Sequence, residues 1–301
     1  MYYPKMLSII ILNYNTKDLL KDCILSLVKL KDKTNFEIIV VDNGSVDGSV
    51  ELVESLKIKN LKIIENKANL GFAKGNNSAR SVAKGKYILF LNSDTITKNN
   101  CLDFPVNYLE DHRDVGAITC KVILKNGKLD PDTRRSFPTP FVAFTHFSHL
   151  DRIFPKSEVF SKYWYGFISD TLSHEIDSLQ GAYFLAKKDI LDSVNWFDED
   201  YFLDGEDIDL CFKIKDKGYK IVYLPTSEIT HLKGATKGKN QNFKTSFKSR
   251  LQFLLAGVNS MEIFYTKRLS KNYNFIVNFL VISGINSLKL FRFMRLLVNY
   301  I

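Results

Sequence analysis

The strongest constraint on this chain is a rhythm in its first half, where short apolar runs alternate with amphipathic stretches. The runs are residues 7–12, 37–41, 61–64, 87–91 and 117–122, and the amphipathic stretches are 17–28, 46–56 and 74–83. Strands alternating with helices of this length predict βαβ units and a mostly parallel sheet, an α/β fold. In open sheets of that kind ligands gather at the C-terminal ends of the strands. Three of the runs end in polar residues: Asn13-Tyr14-Asn15, Asp42-Asn43-Gly44-Ser45 and Asn92-Ser93-Asp94. Chemistry is expected there.

The second half is less regular. Residues 125–177 hold Pro131, Pro138, Pro140 and Pro155 among many aromatics, with no clear boundary between domains. A strand over 179–186, a turn at 195–200, a helix from near Gly205 to Gly218 and a strand over 220–224 are expected next. Beyond His231 the pattern turns helical, basic and rich in Phe and Leu. The division drawn is 1–235 for the α/β domain and 236–301 for a helical extension.

Charge separates the same two parts. The chain of 301 residues carries a formal +9, which would suggest nucleic acid if it were spread evenly. From Lys237 onward there are 11 basic residues and a single acid, Glu262, which leaves 31 of the 42 basic residues against 32 of the 33 acids elsewhere. The α/β part is therefore close to neutral, and no nucleic-acid partner is expected. Cys23, Cys101, Cys120 and Cys211 are far apart and lack metal-binding spacing, so buried thiols in a reducing compartment are expected. No secretory leader is expected, since the run at 7–12 is too short for one. The apolar stretch 275–288 is interrupted by Asn278, Ser283, Gly284 and Asn286, and is shorter than the roughly 18–20 residues a spanning helix needs. Spanning is not expected; lying on a membrane surface is left open.

Four constellations carry chemistry. Asp42 follows a strand and can accept hydrogen bonds from a base or ribose, while Gly44 and Gly48 permit a tight turn; a capped turn without ligand is the plain alternative. Asn69, Gly71, Gly75, Asn76 and Asn77 form an amide-rich loop before a helix that can approach a diphosphate or sugar closely, without matching a generic phosphate loop. Asp94, at the end of a central strand, can hold a hard divalent cation, and His231 could supply a second ligand. Finally, Asp198, Glu199, Asp200, Asp204, Glu206, Asp207 and Asp209 crowd one turn and the helix after it. Glu206 and Asp207 fall in the helix's first turn, where its positive end favours an ionised base; Asp209 reads as ordinary decoration of a helix start.

Taken in order, Asn13-Tyr14-Asn15, Val41-Asp42-Asn43-Gly44-Ser45, Asn69-Leu70-Gly71-Phe72-Ala73, Leu91-Asn92-Ser93-Asp94 and Phe197-Asp198-Glu199 with Gly205-Glu206-Asp207 resemble family 2 glycosyltransferases. The nearest branch is bacterial and rhamnosyltransferase-like. The resemblance spans about residues 6–235. It implies a GT-A fold (the Rossmann-like mixed sheet of nucleotide-diphospho-sugar transferases, flanked by helices), with a C-terminal helical extension beyond it. It implies that Asp42 contacts the base, with Asn13, Asn15, Asn69, Gly71 and Asn76 around the nucleoside diphosphate. Gln180-Gly181-Ala182 would line the sugar pocket. Asp94 matches the last acid of the DxD motif, and His231 a histidine that completes metal coordination, so Mn2+ or Mg2+ is implied as cofactor. Asn92 stands where the first acid of that motif would be, and an amide binds metal more weakly than a carboxylate. Asp207 matches the catalytic base, with Glu206 beside it orienting acceptor or sugar.

The activity implied is inverting transfer from a nucleotide-diphosphate sugar, such as dTDP-rhamnose or a UDP-sugar, to a hydroxyl of a cell-surface glycan or lipid-linked acceptor. Cytoplasmic work at the membrane face follows from such an acceptor, and oligomer formation is left open. Two other readings compete. One is a nucleotidyltransferase forming sugar nucleotides, which lacks its Gly-rich basic loop here. The other is a non-catalytic membrane-surface or nucleic-acid-binding module. For the extension itself two roles stand level. Phe275, Phe279, Phe291 and Phe293 could enter a bilayer while Lys267, Arg268, Lys271, Lys289, Arg292 and Arg295 face anionic headgroups. Alternatively, a helix pair closes the catalytic domain or forms a dimer contact.

Overall fold

The computed structural model describes residues 6–233 and 247–298. The boundary drawn at 235/236 and Lys237, Lys239 and Lys244 lie outside the described residues, as does the side chain of Lys248. The strands are β1 (Met6–Asn13), β2 (Asn35–Asp42), β3 (Leu61–Glu65), β4 (Tyr87–Asn92), β5 (Thr95–Thr97), β6 (Val115–Leu124), β7 (His174–Ile176), β8 (Tyr183–Lys187) and β9 (Lys220–His231). The helices are α1 (Lys17–Val28), α2 (Ser49–Ser55), α3 (Phe72–Asn77), α4 (Asp103–Asp111), α5 (Pro140–Phe147), α6 (Leu150–Ile153), α7 (Lys188–Ser193), α8 (Glu206–Asp216), α9 (Phe247–Phe264) and α10 (Phe275–Val298).

All nine strands join one sheet in the order β3-β2-β1-β4-β8-β6-β9-β5, with β7 also on β9. The first four strands are parallel, as their rhythm predicts. Beyond them β6 and β9 also pair in parallel, but β8 runs antiparallel to both β4 and β6, and β5 and β7 run antiparallel to β9, so the sheet is mixed. Parallel neighbours require a crossover, usually a helix. The irregular stretch after β6 is long enough to return β8 in either direction, so the local pattern does not specify its sense.

Register brings the polar strand ends together. Asn13 lies opposite Asp42, and Leu12 opposite Asn92. Within β1 and β4 the apolar run splits by pleat. Leu7, Ile9, Ile11, Tyr87, Leu89 and Leu91 pack with α1 and α4, while Ile10, Ile88 and Phe90 face the side of Trp196, Phe197 and α8. A sheet covered on both faces explains why these strands read as continuous apolar runs. The four cysteines are free and buried, and burial pushes the Cys23 thiol up to about 12.

β9 is longer than the strand expected at 220–224. It passes an irregularity between Cys120 and Lys121 of its partner β6, beside its own Pro225, and continues to His231. Proline lacks the N–H of a regular ladder and is tolerated at such a bulge. His231 consequently sits opposite Thr95, beside Asp94, rather than in a loop.

Candidate active site

Asn13, Asp42 and Ser45 form a closed set at the ends of β1 and β2. Asn13 Nδ2 donates to Asp42 Oδ1 at 2.8 Å and to Ser45 Oγ at 3.0 Å, while Ser45 N donates to Asp42 Oδ2 at 2.7 Å. Asn15 extends this set, its backbone N–H bonding Ser45 Oγ and its Oδ1 accepting from Val46 N. Beside them the loop before α3 presses against the acidic turn. Phe72 N donates to Phe202 O at 2.7 Å, and Gly71 has φ +82°. A Cβ at Gly71 would stand 2.3 Å from Phe202 O, so both the conformation and the approach demand glycine.

The end of β4 meets the end of β9. His231 Nε2 lies 3.2 Å from Asp94 Oδ1, and Nδ1 lies 3.1 Å from Asp130 Oδ2. Burial alone would lower the His231 imidazole, but its bond to Asp130 and the neighbouring Asp94 outweigh that and raise it to about 9. Burial would raise the Asp130 carboxyl, yet His231 and Lys233 hold it well below the usual carboxylate range. Lys233 Nζ bridges Asp130 and Asp132 at 2.8 and 2.9 Å. Both oxygens of Asp94 are buried without a hydrogen bond, so its contact with His231 is one of charge. A carboxylate in that state suits a hard cation, and a histidine fixed from behind by a carboxylate is the usual metal-ligand arrangement. Asp94 and His231 thus fit a divalent ion. Among the described residues no cluster of three or more such side chains offers a complete cage, so a metal here would need further ligands from substrate oxygens.

Across the cavity α8 begins after Gly205, with Glu206 and Asp207 both buried. Asp207 Oδ2 accepts from Arg135 Nη2 at 2.7 Å and from Gly181 N at 3.2 Å. Burial would lower the Arg135 guanidinium, but the Asp207 charge holds it above its ordinary value. Glu206 behaves differently from its neighbour. Its Oε2 has no partner, and burial, then the charges of Asp207 and Asp204, push its carboxyl well above the usual range. This corrects the expectation that the helix start keeps Glu206 ionised: desolvation beside two acids outweighs a partial charge that is worth only about 0.3–2 kcal/mol.

Asp209 is corrected as well. It is wholly buried, taking Arg268 at 2.7 and 3.1 Å and the Tyr201 hydroxyl at 3.2 Å. Lys267 binds Asp198 and Asp200 at 2.6 Å each. The acidic turn is therefore largely a dock for the C-terminal helices, and these two cations do not face outward as the anchor reading supposed. Lys289 pairs with Glu262, and Arg292 donates to Leu254 O. Phe293 is partly covered, in contrast to Phe275, Phe279 and Phe291.

One cavity of about 180 Å³ gathers Asn69, Gly71, Asn92, Asp94, Gln180, Gly181, Glu206, Asp207 and His231. Asn13, Asn15, Asp42 and Asn76 lie outside its wall. Asn76 Nδ2 is turned to Phe72 O within α3, and Asn43 lines the cavity in place of Asp42, donating to Gly71 O at 2.9 Å. Sequence reasoning missed Asp132 and Arg135, which come from the irregular segment, and Lys233 and Phe253. A pair of arginines just after Pro131 was the one available signal for Arg135. Phe253 comes from α9, its ring 5.6 Å from that of Phe202, and Ser260 Oγ donates to Leu203 O at 3.2 Å. The extension is thus part of the cavity wall.

Comparison with known proteins gives concordant results. Residues 8–194 match the family model described as Glycosyl transferase family 2. The chain is similar to Rhamnosyltransferase WbbL of Escherichia coli (strain K12), 27% identical over 287 residues, covering 90% of this chain and 97% of that protein. In fold it is similar to GalNAc-T7 crystallised with UDP, GalNAc and Mn2+, with TM-score 0.60 and 16% identity over 87% of this chain and 48% of that one. It is also similar to the mannosyltransferase PcManGT from Pyrobaculum calidifontis in complex with GDP-Man and Mn2+, with TM-score 0.55 and 16% identity over 94% and 80% of the two chains.

Proposed function

This chain belongs to glycosyl transferase family 2 and is a glycosyltransferase of the GT-A fold, and we propose that it moves one sugar from a nucleotide-diphosphate donor to an acceptor hydroxyl with inversion at the anomeric carbon. The observation that carries this reading is the pairing of Asp94 and Asp207 in one cavity. One carboxylate has two buried oxygens without hydrogen bonds; the other is held by Arg135.

Asp207 takes the proton of the acceptor hydroxyl as that oxygen attacks the anomeric carbon. Arg135 and the Gly181 N–H keep the Asp207 carboxylate in position. Glu206, held in its protonated form, donates a hydrogen bond to acceptor or sugar. Asp94 and His231 would hold a divalent cation, Mn2+ or Mg2+, whose chemistry is neutralisation of charge on the departing diphosphate. Lys233 adds fixed positive charge at the same end. Asn69 and Gly71 approach the diphosphate, while Asn13, Asn15, Asp42 and Asn76 shape the base side from behind the cavity wall.

The donor we favour is dTDP-rhamnose or a UDP-sugar, supported by the full-length likeness to a rhamnosyltransferase and by the UDP held in a neighbour of the same fold. The acceptor is a cell-surface glycan or lipid-linked sugar, met in the cytoplasm at the membrane face through the C-terminal helices. Thermal-shift screening of dTDP-, UDP- and GDP-sugars with and without Mn2+, followed by nucleoside-diphosphate release on adding acceptor glycans, tests the reading. Stabilisation by one donor and acceptor-dependent release of its diphosphate are expected. Release of pyrophosphate from a nucleoside triphosphate and a sugar phosphate would overturn it.

A further inference from the structure

α10 is 24 residues long, and an 18-residue part of its stretch Phe275–Leu296 has mean hydropathy 1.4 with only 6% of it buried. It is longer than the sequence stretch 275–288 suggested, because the helix continues through Lys289 and Arg292. Length therefore permits spanning, and packing argues against it. One face of α10 is tied to the protein: Lys289 to Glu262, Arg292 to Leu254 O, and Asn278 to the Tyr265 hydroxyl and the Ser270 and Tyr273 carbonyls. The opposite face presents Phe275, Ile276, Phe279, Leu280, Phe291 and Met294 to solvent.

A second apolar surface was not foreseen. Phe141, Phe144, Phe147, Ile153 and Phe154 of the α5–α6 segment are exposed, so that the two surfaces together run from 48% exposure at Phe154 to 81% at Phe275. Both surfaces start at one junction. Phe137, three residues before α5, has its ring 6.1 Å from Phe264 at the end of α9, and Tyr265 beside it bonds Asn278 of α10 at 2.5 Å. Exposed apolar surface on this scale marks an interaction surface.

We propose that these two surfaces form one docking face for an anionic lipid bilayer, with α10 lying in the interface plane. The inference deepens the proposed action at a membrane-borne acceptor and rests on that reading for its biological sense. Charge decides the occupant. No acid occurs after Glu262, and exposed Lys271 and Arg295 at the two ends of the apolar face have no acidic partner among the described residues. An apolar helix face bordered by cations, opposite a face fixed to a folded body, matches the physics of an interfacial helix. Most other cations of the described extension are turned inward onto acids, so apolar contact carries the attachment and Lys271 and Arg295 set its preference for anionic lipid. Because α9 packs on α10 and also carries Phe253 of the cavity wall, docking would tie the cavity to the membrane surface.

The test is flotation of the full chain with phosphatidylcholine vesicles, with and without phosphatidylglycerol, in the absence of any sugar nucleotide. The chain should float with both vesicles, and about tenfold more strongly with the anionic ones. Phe279→Ser with Phe291→Ser, and separately Phe144→Ser with Phe147→Ser, should each weaken partitioning by about tenfold or more. Lys271→Glu should reduce the response to anionic lipid. Failure of the unaltered chain to float would overturn the proposal. So would loss confined to the α10 changes, or a dimer in sedimentation velocity that Phe279→Ser dissociates, which would make the face a contact between copies. Slow hydrolysis of the donor without vesicles should persist in every variant, so loss of docking reads separately from loss of catalysis.

Discussion

Arg135 and Asp207, 72 positions apart, form an ion pair of 2.7 Å with each side chain only 10% exposed. The pair gives the base a counter-charge that the acidic first turn of its own helix does not supply. Asp207→Asn keeps the shape and removes the proton acceptor. Transfer should fall by about 10²–10⁴-fold while donor binding stays nearly intact. Initial rates alongside a donor titration check this; full activity would sink the assignment of Asp207.

Removing the other partner should have a different signature. Arg135→Met leaves a buried carboxylate without its cation, at a cost of roughly 3–5 kcal/mol of stability. The double change Arg135→Met with Asp207→Asn should recover part of that loss. Urea denaturation of the four proteins in a double-mutant cycle measures the coupling.

Glu206 predicts a pH effect of definite sign. Its folded-state carboxyl lies well above the ordinary 4.5, so ionising it opposes the folded state. That penalty is absent below pH 4.5 and grows as pH rises toward the folded value. Glu206→Gln should therefore match the parent in melting temperature near pH 4.5 and exceed it increasingly toward pH 7. A constant difference across that range would contradict the protonated state assigned here.

Chelation should separate the two ends of the cavity. EDTA should abolish both transfer and stabilisation by the donor, and Mn2+ should restore them. Asp94→Asn should lose the response to Mn2+ and remain folded, with the loss of its charge contact with His231 showing as a lower melting temperature. Calorimetric donor titrations with and without Mn2+ report the difference.

Gly71→Ala tests the contact between the loop before α3 and the acidic turn. With φ +82° and Phe202 O 2.3 Å from the new Cβ, the loop must move. A loss of about 1–3 kcal/mol is expected, together with weaker donor binding. Thermal unfolding and a donor titration give both numbers.

Local pattern was enough for the parallel half of the sheet, since burial on both faces leaves continuous apolar runs between amphipathic helices. It was also enough to mark the strand ends and the acidic helix start as the places of chemistry, because those positions carry polar groups where a buried strand has just ended. It failed on β5 and β7, at three residues each too short for periodicity to register, and on β8, whose direction is set by a long irregular connection.

What the order of residues determined by itself was therefore the family, the sheet's parallel core and the ring of polar residues around the cavity. Tertiary structure alone decided which acids are bases, ligands or docks. Asp207, Glu206 and Asp209 are near neighbours in sequence, yet one meets Arg135, one meets no cation and one meets Arg268. The charge state of a buried carboxyl follows from solvent exclusion and the charges within a few ångströms. Those neighbours are brought in by β-pairing and by the return of α9, across separations that local sequence does not encode.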